Sequence, residues 1–255
     1  MTDFVTGDLH LGHRKIPLYT GRRFCLDERE LGLLDSGSMN WVPSDESINR
    51  MEEYLLGKIN DTVGVDDRLY ILGDFCFGPM GNKIGQWAER YRKSINCKDV
   101  QLIWGNHDNR RIAPVFQKTF ERCRMRWGNT RIILTHCAHA VWEGSHGGGW
   151  HLYGHSHTTA EKSLDFSSSL FFGEIVKCES LQQLKQKVEK LCTEVGEETL
   201  LKDVSAFAPK RRSLDVGVDN AFRVFGEYRP LSFSEIAEYF ETRPGHSMDN
   251  GVAVV

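Results

Sequence analysis

The chain has 255 residues, enough for one well-filled core or two small ones. Hydrophobic residues make up 40% and charged residues 26%, the balance of an ordinary globular protein. A net charge of -3 excludes a global pull toward nucleic acid or anionic membrane, and no run is long and apolar enough to span a bilayer. The seven cysteines are scattered without a Cys-x-x-Cys pair, which points to reduced thiols in the cytoplasm. Met1-Thr2-Asp3-Phe4 lacks the basic and then apolar pattern of a signal peptide.

In chain order, Phe4-Val5-Thr6 reads as a short strand feeding Gly7-Asp8-Leu9-His10. Residues 14–43, punctuated by Pro17, Gly21, Gly32, Gly37 and Pro43, read as a long loop. Ser44-Asp45-Glu46 opens a helix in which Ile48, Met51, Leu55 and Ile59 recur at helical spacing. Arg68 to Leu72 is a strand ending at Gly73-Asp74. A second amphipathic helix carries Ile84, Trp87, Tyr91 and Ile95 on one face. Val100 to Trp104 is a buried strand that runs into Gly105-Asn106-His107-Asp108. Arg131 to Leu134 ends at Thr135-His136, and Trp150 to Tyr153 ends at Gly154-His155-Ser156-His157.

Beyond this point the character changes. Residues 159–211 read as an insert holding one amphipathic helix, with Leu181, Leu184, Val188, Leu191 and Val195 as its stripe, and it offers an oligomer contact. Ser213 to Asp219 is strand-like. Ser232 and Glu235 have capping-box spacing at the start of a last helix. Residues 243–255 read as a loose tail, so 1–255 is taken as a single domain with an insert.

Five strands thus end in a polar residue, and the helices between the early ones imply βαβ crossovers and a largely parallel sheet. In such a sheet the strand ends converge on one rim. The residues gathered there are Asp8, His10, Asp74, Asn106, His107, His136, His155 and His157. Oxygen and imidazole ligands without thiolate suit manganese first, with iron, nickel, zinc or cobalt as alternatives. Asp8-x-His10 and His155-x-His157 are i, i+2 pairs, whose side chains point the same way in an extended segment. The set is too large for one tetrahedral ion and fits two ions sharing a carboxylate, with Asp74 as the bridge. Two such ions suit attack of a metal-bridging hydroxide on phosphorus. His107 beside ligand Asn106 can protonate the leaving oxygen, with Asp108 orienting it. His13, Arg110, Trp142 and His146 are candidate substrate contacts.

These blocks resemble the calcineurin-like metallophosphoesterases, whose pattern is Asp-x-His, Gly-Asp, Gly-Asn-His-Asp/Glu, a lone His and Gly-His-x-His. All five stand here in order, over about 1–158, and the likeness resumes at 212–235. The resemblance implies a four-layer α/β/β/α sandwich. It assigns Asp8, His10, Asp74 and His157 to one ion, and Asp74, Asn106, His136 and His155 to the other, with His107 as the acid. Gly73-Asp74-Phe75-Cys76 lacks the Arg of the phosphoprotein phosphatase motif, which favours a diester. The expected function is hydrolysis of a phosphodiester, a cyclic nucleotide, an oligonucleotide or another small diester. The alternatives are a phosphomonoesterase and an inactive module that binds a phosphate ligand or a partner. Cys137-Ala138 stands where close relatives carry Tyr-Pro.

Overall fold

The computed structural model describes residues 1–78, 83–139, 142–157 and 212–242, with the side chain of His146 left out. The expected helix at 181–195 and the 243–255 tail lie outside these residues.

The fold is mixed α/β, with two parallel-rich sheets flanked by helices. The first sheet has the order β4-β3-β2-β1-β9, formed by Lys118–Phe120, Asp99–Ile103, Arg68–Leu72, Asp3–Thr6 and Leu231–Ser232. Its first four strands are parallel, and β9 runs antiparallel to β1. The second sheet is β5-β6-β7-β8, formed by Cys123–Trp127, Thr130–Leu134, Trp150–Tyr153 and Arg212–Asp215. There β5 and β6 form an antiparallel hairpin, while β6, β7 and β8 are parallel.

Strand alternation separates two cores. Phe4, Leu69, Ile71, Val100 and Leu102 join the apolar stripes of α3 (Asp45–Thr62) and α4 (Lys83–Lys93). Val5, Leu72 and Ile103 on the opposite face meet Ile132, Leu134, Leu152 and Leu214 of the second sheet. Ala221 of α5 (Val218–Phe225) and Phe233, Ile236 and Phe240 of α6 (Phe233–Thr242) belong to that same cluster. Each fully buried Leu or Ile there contributes roughly 1.5–3 kcal/mol, so the sheet faces fix the register of every strand that ends at the rim.

Several expected signals hold. Ser44 caps α3 by accepting from Ser47 N at 3.2 Å, and Ile48, Met51, Leu55 and Ile59 are buried. Ser232 and Glu235 exchange bonds, Glu235 N to Ser232 Oγ at 3.2 Å and Ser232 N to Glu235 Oε2 at 2.9 Å.

Others need correction. Residues 14–43 are not one long loop: they contain α1 (Ile16–Thr20), a single 3-10 turn (Arg23–Cys25) and α2 (Glu28–Asp35). Gly21 closes α1 in the left-handed region, and Asp27 with Glu30 forms a capping box for α2. The strand-like stretch 213–219 is β8 only as far as Asp215, and α5 begins at Val218. The hairpin partner β5 adds a strand that the pattern of strand plus polar end did not include.

The sheets are stitched together at one edge. Gly7, just past β1, forms an isolated bridge with Gly217, and Val218 N donates to Gly7 O at 3.1 Å. The loop after β1 is also tied to the loop after β2, with Asp8 N bonded to Gly73 O and His10 N to Asp74 O. This edge collects the C-terminal ends of strands from both sheets.

Candidate metal centre

All seven expected ligands come from loops at this edge. Asp8 and His10 follow β1, Asp74 follows β2, Asn106 follows β3, His136 follows β6, and His155 and His157 follow β7. Their backbones explain how they converge. Among the described residues, the non-glycine positions with positive φ are Asp8, His10, Asp74, His155 and His157, with values from 44 to 71°. Every one is an expected ligand. The i, i+2 pairs therefore do not aim together through an extended backbone, as the spacing suggested. Both members of each pair sit in the left-handed region instead. Such conformations cost of order 1–3 kcal/mol each and persist only where the surroundings impose them.

Glycines make room for this nest. A side-chain carbon on Gly105 would overlap the Asp74 carboxylate, and one on Gly73 would overlap the His136 ring. Gly73 also needs a positive φ of 84°.

Two groups of ligand atoms face each other across Asp74. On one side, His10 Nε2 lies 3.1 Å from His157 Nε2 and 3.3 Å from Asp74 Oδ2. Asp8, His10 and His157 place ligand atoms within 4.8 Å of one another. On the other side, His136 Nε2 lies 2.8 Å from Asn106 Oδ1, 3.2 Å from His155 Nδ1 and 3.4 Å from the same Asp74 Oδ2. Asp8, Asp74 and His136 form a further group of three ligand atoms within 4.8 Å. These buried His and Asp groups can bind metal ions.

The hydrogen bonds behind the rings fix where the lone pairs point. His136 Nδ1 lies 2.8 Å from the carbonyl of Leu72, which can only accept, so Nδ1 carries the proton and Nε2 is bare. His157 Nδ1 is likewise 2.7 Å from Asp219 Oδ2, so in the neutral ring the proton sits on Nδ1 and Nε2 is the bare nitrogen. Bare nitrogens and oxygens thus face one another at hydrogen-bond distance. A cation between them converts that repulsion into coordination, so the residues present fit a metal. Among the described residues, buried His10 Nδ1 has no hydrogen-bond partner, so none of them holds its tautomer from behind.

Electrostatics add to the fit. Asp8, Asp74, Asp215 and Asp219 are all buried, with Arg22 as a fully buried cation beside them. Burial first, then the neighbouring carboxylates Asp215 and Asp74, push the Asp8 carboxyl well above its ordinary value. Burial and the positive charge of His157 and Arg22 push His10 down to about 2, so it is a neutral ligand at any ordinary pH. Burial lowers His157, but the Asp219 carboxylate more than offsets this, and the net direction is up.

Sequence reasoning did not single out Arg22, and it placed Asp219 only in a turn near the rim; the two meet behind the ligand cluster. Arg22 Nε and Nη2 grip both Asp219 oxygens at 2.8 and 2.9 Å, and the same guanidinium bonds the carbonyls of Asp8 and Leu9. Asp219 in turn orients His157. One buried pair therefore fixes the loop after β1 and one imidazole. Ser156, between the two motif histidines, donates to the buried Asp215.

The remaining candidates divide. His107 is exposed; its backbone N donates to Asp74 Oδ1 at 3.0 Å, and its ring centroid lies 5.5 Å from that of His10. Asp108, expected beside His107, is engaged otherwise. Its carboxylate accepts from the backbone N of Asp74, Phe75 and Gly105 at 2.9–3.0 Å, holding the loops after β2 and β3 together. Burial pushes it up to about 6 even so. His13 borders the centre, its centroid 5.7 Å from His10 and 4.5 Å from Phe77. Arg110 stacks on Trp104 at 4.3 Å and pairs with Glu121, so its charge is already matched. Trp142 is buried packing, with its Nε1 donating to Gly149 O at 2.9 Å. The side chain of His146 lies outside the described residues.

No family model matches the chain, and no curated protein matches it. Two solved structures align with it. A protein of unknown function from Aquifex aeolicus covers 93% of this chain and 98% of its own at 15% identity, with a TM-score of 0.47. The phosphoesterase YfcE from E. coli covers 62% of this chain and 70% of its own at 19% identity, with a TM-score of 0.28. Both scores are low, and the functional reading rests on the geometry of the site itself.

Proposed function

We propose that this chain is a binuclear-metal phosphoesterase of the calcineurin-like kind, hydrolysing a phosphodiester, with its two sheets as the inner layers of an α/β/β/α sandwich. The observation that carries the reading is Asp74 Oδ2, which lies 3.3 Å from His10 Nε2 and 3.4 Å from His136 Nε2. One oxygen is thereby common to two ligand groups whose lone pairs converge. Asp8, His10 and His157 would hold the first ion, Asn106, His136 and His155 the second, and Asp74 both. Such ions supply Lewis-acid charge for the phosphoryl oxygens and bring the pKa of water to about 7.

The chain's own residues supply the rest. Asp219 and Leu72 O hold His157 and His136 in the ligating tautomer. His107, anchored by its backbone to Asp74 but with an exposed ring, is placed to hand a proton to the leaving oxygen. A cavity of about 750 Å³ opens beside His13 and is lined also by Lys15, Tyr19, Phe77, Trp87 and Arg90. Asp45 and Glu52 also line it and pair with Arg14 and Arg90, so its aromatic faces rather than net positive charge suit the organic substituent of a phosphate ester, such as a nucleoside. With Arg110 paired to Glu121 and no Arg in the Gly73-Asp74 block, a singly charged diester is favoured over a doubly charged monoester.

The test is hydrolysis of bis(p-nitrophenyl) phosphate and p-nitrophenyl phosphate by protein loaded in turn with Mn²⁺, Zn²⁺ and Ni²⁺. Metal-dependent turnover that prefers the diester is expected. Failure to hydrolyse either compound with any of these ions would overturn the reading.

A further inference from the structure

We propose that Cys137 is an additional ligand of the second metal position, giving that position a sulfur donor and a preference for softer ions. The inference rests on the binuclear reading but goes beyond its oxygen and imidazole set. The thiol of Cys137 and one nitrogen each from His136 and His155 lie within 4.8 Å of one another. Bonds of about 2.3 Å to sulfur and about 2.0 Å to nitrogen put neighbouring donors of one ion roughly 3–3.5 Å apart, inside the 4.8 Å that bounds these three atoms, so Cys137 would enter as a fifth protein donor. The two nitrogens belong to the rings already converging with Asn106 and Asp74, so the sulfur joins a formed cluster.

The turn that presents Cys137 is held on both sides. Thr135 Oγ1 donates to Cys137 O at 2.7 Å, and Gly154 N donates to His136 O at 2.9 Å. Thr135 is itself fixed by the fully buried His151, whose Nε2 lies 2.8 Å from Thr135 Oγ1. His151 thus acts at a distance from the ions, through the backbone of the cysteine. Among the other described cysteines, Cys25, Cys76, Cys97 and Cys123 are buried, whereas Cys137 is exposed at the rim. On binding, the thiol forms a sulfur–metal bond and gives up its proton to solvent. Thiolate favours zinc, iron or cobalt over manganese, so the second position would select a softer ion than the first.

Cobalt(II) reports this directly. The chelator-treated full chain is titrated with Co²⁺ while the visible ligand-field bands and the near-ultraviolet sulfur-to-cobalt charge-transfer band are recorded. Both bands are expected in the wild type. In Cys137→Ser the charge-transfer band should vanish while the visible bands remain. Visible bands without a charge-transfer band in the wild type, or a charge-transfer band that survives Cys137→Ser, would overturn the inference and leave the metal centre standing. No bands at all in the wild type would overturn both. Should the variant fail to fold, alkylation of wild-type Cys137 with iodoacetamide decides: Zn²⁺ should slow it strongly, and an unchanged rate contradicts ligation.

Discussion

Asn106 and His107 are neighbours with opposite assignments. The Asn106 side chain meets His136 Nε2, while His107 touches the cluster through its backbone. Replacing His107 by Ala should therefore keep the metal and lower turnover about 10²–10⁴-fold, least for a leaving group that needs no proton. Replacing Asp74 by Ala should empty both positions. Metal content by elemental analysis separates the two, and equal loss in both variants would remove His107 from its role. Asp219 offers a second residue-scale test. Asp219→Ala frees His157 and leaves Arg22 buried without its partner, so metal affinity should fall about 10–100-fold by chelator competition. Stability should also fall by about 3–5 kcal/mol, read from denaturant unfolding. For the metal-free protein the pH signs are opposed at two histidines. The raised His157 stabilises below 6.5 and loses that contribution as pH rises through its folded value, whereas the lowered His10 contributes above 6.5 and loses stability as pH falls toward about 2. The raised carboxyls of Asp8, Asp215 and Asp108 oppose the His10 trend, so the separable expectation is that metal affinity rises with pH as His157 gives up its proton, read by chelator competition across pH. The ligands were legible because each is a polar residue closing an apolar run. The Arg22–Asp219 pair was not, since its members lie 197 residues apart, Arg22 stands in a stretch that reads as loop, and Asp219 reads as a turn residue rather than as a partner for His157.

At the scale of elements, α2 shows what the pattern concealed. Gly32, Gly37 and flanking prolines suggested loop, yet Glu30 N donates to Asp27 Oδ1 at 2.8 Å and Asp27 N to Glu30 Oε2 at 3.2 Å. Glu30 also accepts from Ser44 N at 2.6 Å, joining this helix to the start of α3. Asp27→Ala should cost about 1 kcal/mol in denaturant unfolding with metal content unchanged. Loss of metal in that variant would show that the segment is coupled to the centre. The strands and α3 and α4 were readable because their periods, two and 3.6, match the faces they bury. The short pieces between 14 and 43 escaped because caps, not periodicity, define them. Strand β5 does carry the period-two signal, Cys123, Met125 and Trp127 inward with Arg124 and Arg126 exposed, but it escaped because it is not an apolar run that closes on a polar cluster, the feature that marks the ligand-bearing strands.

For the molecule as a whole, the rim concentrates what folding disfavours. Among the described residues, five non-glycine positions hold positive φ there, and the carboxylates of Asp8, Asp74, Asp215 and Asp219 are buried, with the buried Arg22 paired to Asp219. The two cores and the sheet-to-sheet stitch at Gly7 and Gly217 impose this arrangement, and bound cations would relieve its charge. Chelation should accordingly lower Tm, since ligand at a hundredfold excess over Kd stabilises by about 2.7 kcal/mol per site. An unchanged Tm would mean that the centre is not loaded. Alternation of strands and helices made the parallel-rich sheets legible. The left-handed geometry of the ligand loops was not, because a two-residue spacing in sequence does not reveal the backbone that realises it. The number of divalent ions retained per chain, measured by plasma mass spectrometry after loading and desalting, bears most directly on a centre shared through Asp74. Two ions per wild-type chain and none in Asp74→Ala are expected, whereas a wild type that holds no ion, or only one, would contradict it.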